Sequence, residues 1–309
     1  MTRHIRIGTR GSQLALTQTE LFKKALQEAA PDTDLELETV IIKTSGDWTP
    51  SQGETRLSEV AGGKGQFAKE IEEAMLTGRI DCAVHSVKDM DSHPTEGLLL
   101  DHFLPREDVR DAFISEKYVR FSDLPEGAVV GTSSVRRQSM ALALRPDLKI
   151  VPLRGNVPTR LEKVKAGQVD ATFLAMAGLN RLELISHCKH PMQIEQMLPG
   201  AGQGAVGIQC RENDEVLIAL LEKINCKKTR LAVQAERAAL AVLDGSCHTP
   251  IGAYAEIANS EVWLRVCVYA LDGSKCWSDE IRGNTTDTEG LGQKVAQRLK
   301  AKIPASYLS

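Results

Sequence analysis

The sequence predicts an α/β protein closed by a small C-terminal α+β domain, and three observations predict it. From the start to about residue 210, short apolar runs alternate with amphipathic helical patterns, the order expected of strands and helices in an α/β fold. After Gly200-Ala201-Gly202-Gln203-Gly204 and one more strand, the character changes to two consecutive helical patterns followed by a strand pair. The chain's 309 residues also exceed what one core usually serves, so two or three domains are expected.

The first unit shows the pattern. HIRIGT sets Ile5 and Ile7 on one face of a strand, Gly11-Ser12 supplies a turn and a helix cap, and Leu14, Leu21, Phe22 and Leu26 keep helical spacing. Further strands are expected at 35–44, 81–87, 128–132, 149–153 and 171–177, and helices at 66–77, 134–144, 157–166 and 178–187. Arg145-Pro146 reads as a helix stop and Pro158 as a helix start. The charged run 98–111, which holds Pro105, reads as a crossover between lobes. Beyond it come a strand at 205–210, helices at 214–225 and 229–243, and strands at 262–270 and 275–281. Asp272-Gly273 closes that last pair as a tight hairpin, and a helix at 288–301 ends the domain.

Composition excludes several classes. With 42% hydrophobic and 26% charged residues, the chain is an ordinary globular one. Its 4% aromatic content and formal charge of −3 offer neither stacking platforms nor a global field for nucleic acid or an anionic membrane. The N-terminus lacks an apolar signal segment and no run approaches a membrane span, so a cytoplasmic location is expected. Seven cysteines, an odd and scattered set without CxxC or zinc-ribbon spacing, are expected to be reduced thiols, and no metal site is expected.

The informative feature is where the cations stand. Arg10, Lys64, Lys88, Arg136-Arg137, Arg154 and Arg181 each fall at an expected strand-to-helix junction beside Gly, Ser or Thr. In open α/β sheets such junctions line the ligand crevice, and the helix N-termini beside them favour anions. Any one arginine is more simply a solvated surface charge. Six junctions together point to an anion cleft, with the hydroxyls of Thr132, Ser133 and Ser134 as further donors to a ligand bearing several acidic groups. GGKGQF lacks P-loop spacing and no GxGxxG follows a strand, which disfavours a nucleotide. Asp89, directly after Lys88, is either an ionised carboxylate acting among these cations or a counter-ion to Lys88 or Arg10.

Cys247 follows a helix and a Gly-Ser turn, so its sulfur should be reachable, whereas Cys82, Cys210 and Cys267 sit in apolar strands and are expected in the core. Position alone favours an incidental loop thiol. Neither His248 nor His85 is placed by spacing as a base for it, so a cysteine hydrolase is disfavoured. A two-lobed module that merely binds a polyanion is the other alternative.

One resemblance covers the chain from about residue 5 to 300. ERAALAVLDGSCHTPIG (236–252) fits the cofactor-attachment signature of the porphobilinogen deaminases at every constrained position. RIGTRGSQLAL, GGKGQFAKEIEEAML, DCAVHSVKDM, REDVRDAF, GTSSVRRQ, LRGNVPTRL, LAMAGLNRL and GAGQGAVGIQCR follow that family's other blocks in order. The resemblance implies two lobes similar to periplasmic binding proteins and a third domain carrying the cysteine, divided as 1–104 with 205–222, 105–204, and 223–309. It implies an enzyme, a monomer, that condenses four porphobilinogen molecules head to tail into hydroxymethylbilane for haem and other tetrapyrroles, releasing ammonia each time. A dipyrromethane cofactor, joined to Cys247 by a thioether, primes the chain.

Carried over residue by residue, the resemblance makes Asp89 the catalytic carboxylate, accepting pyrrole N–H groups and steadying positive charge as ammonia leaves. Ser86, Lys88, Thr132, Ser133, Ser134, Arg136, Arg137, Arg154 and Arg160 are implied around the cofactor. Arg10, Ser12, Lys64, Phe67 and Arg181 are implied around the substrate, whose pyrrole bears an acetate and a propionate. Asp91, Val109 and Gln66 depart from the family pattern, and the segment 47–63, with an additional Ala61, is an expected lid. Asp91 adds a second carboxylate near Asp89, able to shift its pKa if both face the cleft.

Overall fold

The computed structural model describes residues 2–46, 67–243, 249–304 and 307. The expected lid, with Lys64 and Gln66, and the loop carrying Cys247 and His248 lie outside the described residues.

Two five-stranded sheets share one plan. In the first, β1 (Arg3–Thr9), β2 (Leu35–Ile41), β3 (Cys82–Ser86), β4 (Leu98–Phe103) and β10 (Val206–Arg211) stand in the order β2-β1-β3-β10-β4. In the second, β5 (Asp111–Ile114), β6 (Val129–Gly131), β7 (Lys149–Val151), β8 (Ala171–Ala175) and β9 (His190–Pro191) stand in the order β7-β6-β8-β5-β9. Each sheet has four strands running one way and receives, in its fourth place, an antiparallel strand that has just crossed from the other lobe. The carboxyl ends of the parallel strands therefore open on one cleft, where ligands of open α/β sheets bind.

Helices α1 (Gln13–Ala29), α2 (Lys69–Leu76) and α6 (Glu215–Glu222) cover the first sheet, while α3 (Val135–Leu144), α4 (Val157–Lys165) and α5 (Met176–Arg181) cover the second. Their starts follow local chemistry. Ser12, Ser134, Asn156 and Asp214 accept backbone N–H bonds as caps of α1, α3, α4 and α6, each removing an otherwise unsatisfied donor. Ile5, Ile7, Phe22 and Leu26 pack with Cys82, Val84 and Cys210 in the first lobe. Phe113, Phe121 and Phe173 form an aromatic cluster in the second.

The third unit is a three-stranded antiparallel sheet, β11 (Ile251–Ala258), β12 (Glu261–Tyr269) and β13 (Cys276–Asn284), backed by α7 (Lys227–Val242) and α8 (Thr288–Lys300). The helices approach closely because α7 presents Ala232, Ala235 and Ala239, and α8 presents Gly292. A Cβ at Gly292 would stand 2.3 Å from the Ala235 carbonyl oxygen.

Several sequence expectations are corrected. The run 98–111 is not all crossover, because β4 occupies its first six residues and only 104–110 crosses. The expected hairpin is a three-stranded sheet with β11 added, and its loop is wider than a tight Asp-Gly turn, since Tyr269 pairs with Cys276. There the Gly273 N–H closes on the Ala270 carbonyl while Gly273 takes φ +72°. The helix expected at 178–187 begins at Met176 and stops at Arg181, because Glu183 adopts φ +58° and reverses the chain.

The two crossings, 104–110 and 192–205, meet the third domain at the Glu236 carboxylate, which is wholly buried. It accepts Arg106 at 2.6 and 3.0 Å, the Gly202 N–H at 2.7 Å and the Ala255 N–H at 2.9 Å. The Arg106 Nε also donates to the Gln203 carbonyl. Gly202 and Gly204 hold φ +71° and +85° there, and a Cβ on Gly204 would lie 2.5 Å from the Glu107 oxygen. Glu236→Gln strands the Arg106 charge and is expected to destabilise the protein by about 3–5 kcal/mol, read from the shift in urea midpoint. A shift under about 1 kcal/mol would show that the pair behaves as a surface ion pair.

Candidate active site

Strand ends deliver the cleft residues. β3 runs into a single 3-10 turn, Val87–Asp89, so that Ser86, Lys88 and Asp89 emerge together at the carboxyl edge of the first sheet. Val87 is driven into the core against Phe103, Ala205 and Val233, which fixes the turn from behind. The Ser86 hydroxyl exchanges bonds with Gln18 of α1 at 2.9 and 3.1 Å. Across the cleft, β6 ends at Gly131 and is followed by Thr132, Ser133 and Ser134, whose oxygens accept the N–H groups of Ser134, Leu153 and Arg137 respectively. Their hydroxyl protons remain to donate.

One hollow gathers much of the expected set. Ser86, Lys88, Arg137, Arg160 and Arg181 line it with Gln18, Gly178, Gly202 and Gly204. Arg160 comes from α4. Arg181 belongs to the last turn of α5 and not to a strand-to-helix junction, and its guanidinium donates to the Gly204 carbonyl at 2.7 Å. Burial lowers the Arg181 pKa, with Glu107 opposing. Arg10 follows β1 and lies over the Phe67 ring at 4.3 Å from its centroid, so these two expected substrate residues do meet. Ser12 is engaged as the α1 cap. Arg154 follows β7 and is buried, its carbonyl accepting Lys163 Nζ at 2.9 Å.

The Arg136-Arg137 pair differs from the simple expectation of two open anion ligands. Both guanidiniums close on Asp111, at 2.7 Å each. Arg136 also donates to the Leu198 carbonyl and Arg137 to the Phe173 carbonyl. Burial would raise the Asp111 pKa, but the two arginines together hold it far below the usual carboxylate range. Asp111 lies 25 residues before Arg136, in strand β5 rather than on α3, so spacing gives no signal of it.

Lys88 and Asp89 are in opposite situations. Burial among protein atoms, countered by Asp89 and reinforced by Arg137, pushes the Lys88 pKa down to about 8. The side chain is still exposed, so cleft water offsets part of that desolvation. The half-buried Asp89 carboxylate accepts no hydrogen bond from any described residue, leaving its acceptor capacity for a ligand. Asp91, the suspected second cleft carboxylate, turns away. Its Oδ1 accepts the His93 N–H at 3.3 Å and its carbonyl accepts Arg237 of α7 at 2.7 Å.

Burial lowers the His85 pKa to about 4, which keeps the imidazole neutral. Cys82, Cys210 and Cys267 are buried, and burial raises all three thiols, Cys210 to about 11 and Cys267 to about 12. They are inert core residues. Among the described residues no group of three or more His, Cys, Asp or Glu side chains is placed to hold a metal ion, and no helix is long and apolar enough to cross a membrane.

Comparison with known proteins places this geometry. A family model described as "Porphobilinogen deaminase, dipyromethane cofactor binding domain" matches residues 5–219, and one described as "Porphobilinogen deaminase, C-terminal domain" matches residues 230–301. The porphobilinogen deaminase of Paracoccus denitrificans is 45% identical over 303 residues, covering 98% of this chain and 96% of its own. That of Nitrobacter hamburgensis is 44% identical, covering 98% and 95%. Among solved structures, the methionine-binding protein MetQ aligns over 72% of this chain and 89% of its own with a TM-score of 0.44 and 15% identity. A YaeC-family lipoprotein from Enterococcus faecalis aligns over 73% and 93% with a TM-score of 0.41 and 15% identity.

The Lys88 environment makes a prediction that needs no ligand. In a carbon-13 methylated sample followed by NMR, the Lys88 signal is expected to titrate near pH 8, and lower still in Asp89→Asn, which removes the charge that favours the ammonium. Titration together with ordinary surface lysines, at roughly 10.4, would contradict the enclosure described.

Proposed function

The chain belongs to the porphobilinogen deaminase family, and from that premise we propose how its residues divide the work of joining four porphobilinogen molecules into hydroxymethylbilane. The family carries a dipyrromethane cofactor, which supplies the covalent primer on which the chain grows. Cys247 is the proposed attachment point. α7 leads directly toward that residue, and the hollow lined by Ser86, Lys88, Arg137, Arg160 and Arg181 suits a group bearing several carboxylates.

The observation that carries the reading is the Asp89 carboxylate, half-buried beside Lys88 and without a hydrogen bond from any described residue. Two pyrrole N–H groups would fill its vacant acceptor sites. As ammonia leaves an incoming porphobilinogen, positive charge spreads into the pyrrole, and a fixed carboxylate beside that ring stabilises it without reorganising. The same oxygen can take up the proton released when the new carbon–carbon bond restores the ring, so charge and proton are handled at one atom. Lys88 offers its own charge to side-chain carboxylates.

The remaining assignments follow position. Arg137, Arg160, Arg154 and the Thr132-Ser133-Ser134 edge are assigned to the cofactor's carboxylates. Arg10, over Phe67, is assigned to the incoming monomer with Ser12, Lys64 and Arg181. Arg136 is assigned to support Arg137, since its donors are taken by Asp111 and by backbone. The three sheets support dividing the chain as 1–104 with 205–222, 105–204 and 223–309. A monomeric, cytoplasmic enzyme is the accompanying proposal.

Two measurements test the reading. Intact-protein mass is expected to exceed the sequence mass by a two-pyrrole adduct that peptide mapping puts on Cys247; an unmodified, fully active protein would sink the assignment. Asp89→Asn is expected to leave KM for porphobilinogen within about threefold while kcat falls at least about 100-fold. Turnover retained within a few-fold would make Asp89 a counter-ion only.

A further inference from the structure

Asp111 stands at the first position of β5 with none of its surface exposed. Its Oδ2 accepts Arg136 at 2.7 Å, and its Oδ1 accepts Arg137 through Nε at 3.1 Å and a terminal nitrogen at 2.7 Å. The same Oδ1 accepts the Gln203 amide at 3.1 Å, and the Gln203 oxygen accepts Arg136 at 3.3 Å. The arrangement is a closed triad of two guanidiniums around one carboxylate, tied to the returning crossover. Its formal charge is one positive unit, two arginines less one aspartate. Of the two arginines, Arg137 lines the hollow, whereas Arg136 points to the Leu198 carbonyl.

Consecutive arginines on one helical turn repel each other, and without a shared anion they would splay or capture one from solution. The Asp111 Oδ1, accepting both the Nε and one terminal nitrogen, fixes the plane of Arg137, and the Phe173 carbonyl takes its other terminal nitrogen, so the N–H groups left for a ligand are one on each terminal nitrogen. We propose that Asp111 is a positioning residue, which sets the orientation and the net charge of the carboxylate-binding edge of Arg137 without touching substrate or cofactor. This rests on the reading above that the cofactor's carboxylates bind at Arg137.

The test uses the wild type, Asp111→Asn, Arg136→Gln and the double variant, each before its cofactor is loaded so that the Arg137 edge is open, with inorganic phosphate as the anionic probe at constant ionic strength. Thermal midpoints against phosphate concentration give its affinity independently of turnover, and inhibition of porphobilinogen consumption gives it a second time. Phosphate affinity is expected to rise about tenfold in Asp111→Asn, to fall about tenfold in Arg136→Gln, and to return within about threefold of wild type in the double variant, whose triad charge is restored. Unchanged affinity in Asp111→Asn, or a double variant as weak as Arg136→Gln, overturns the proposal even if melting temperatures fall. Should Asp111→Asn fail to fold, the double variant against Arg136→Gln decides alone. Arg137→Gln separates the underlying reading. If it alters neither phosphate affinity nor KM, carboxylate binding at Arg137 fails and the Asp111 proposal with it. If it weakens both while the Asp111 comparisons stay flat, only the Asp111 proposal is lost.

Discussion

Four donors converge on the buried Glu236 carboxylate, and the placement of all three units depends on that convergence. Arg106 comes from the outgoing crossover, Gly202 from the returning one, and Ala255 from the C-terminal sheet. Burying one ion would be prohibitive and burying a pair is roughly neutral, but a carboxylate with its acceptors filled in fixed directions specifies geometry. The glycines belong to the same constraint. Gly202 lies so close to Val87 that a Cβ would fall 2.5 Å from a side-chain carbon, which brings the returning crossover against the turn bearing Lys88 and Asp89. The returning crossover and the turn bearing Lys88 and Asp89 are thus one packed object.

A second buried carboxylate lies next along the crossover. Gln203 sits between the two, its carbonyl taking Arg106 and its side-chain amide donating to Val109 and Asp111. Lys88, Arg137, Arg160 and Arg181 line the hollow, while Asp111 and Glu236 are sealed behind it. This explains how a chain of formal charge −3 builds a cationic cleft, since net charge describes solubility and long-range attraction and not a local site. It also separates the cations by kind. Arginine stays charged when partly desolvated, whereas Lys88 has its pKa drawn down to about 8.

Most strands and helices were legible because periodicity reports burial, and burial made them. The failures have specific causes. β4 was taken for crossover because Asp101 and His102 interrupt its apolar run, yet Asp101 faces α7 to hold Arg230 and Gln234, and His102 is buried near Glu222. Those polar residues serve an inter-domain contact invisible to local pattern. β11 was missed because its core face is carried by Ala253 and Ala255, which give little hydrophobic signal although close-packed α7 requires them. Of the cations expected at strand-to-helix junctions, Lys88 and Arg137 do line the hollow from such positions, whereas Arg181 reaches it from the last turn of α5. That Arg136 and Arg137 share Asp111 was not legible, because the contact joins α3 to a strand set by the crossover.

The third domain touches both lobes beside residues of the two cleft walls. Arg237 of α7 donates to the Asp91 carbonyl, two residues beyond Asp89. On the other side, the β12–β13 loop offers the Leu271 carbonyl to Gln138 and Ser139, directly after Arg137 on α3. Gly273 packs there so tightly that a Cβ would lie 2.4 Å from the Ala143 nitrogen. One end of the domain therefore reads the position of the carboxylate turn and the other reads the position of the arginine helix. α7 runs from that framework toward residue 247, so the loop's origin is set relative to both walls of the cleft at once. A lobe movement that separated the walls would have to break one of these contacts or carry the third domain with a single lobe.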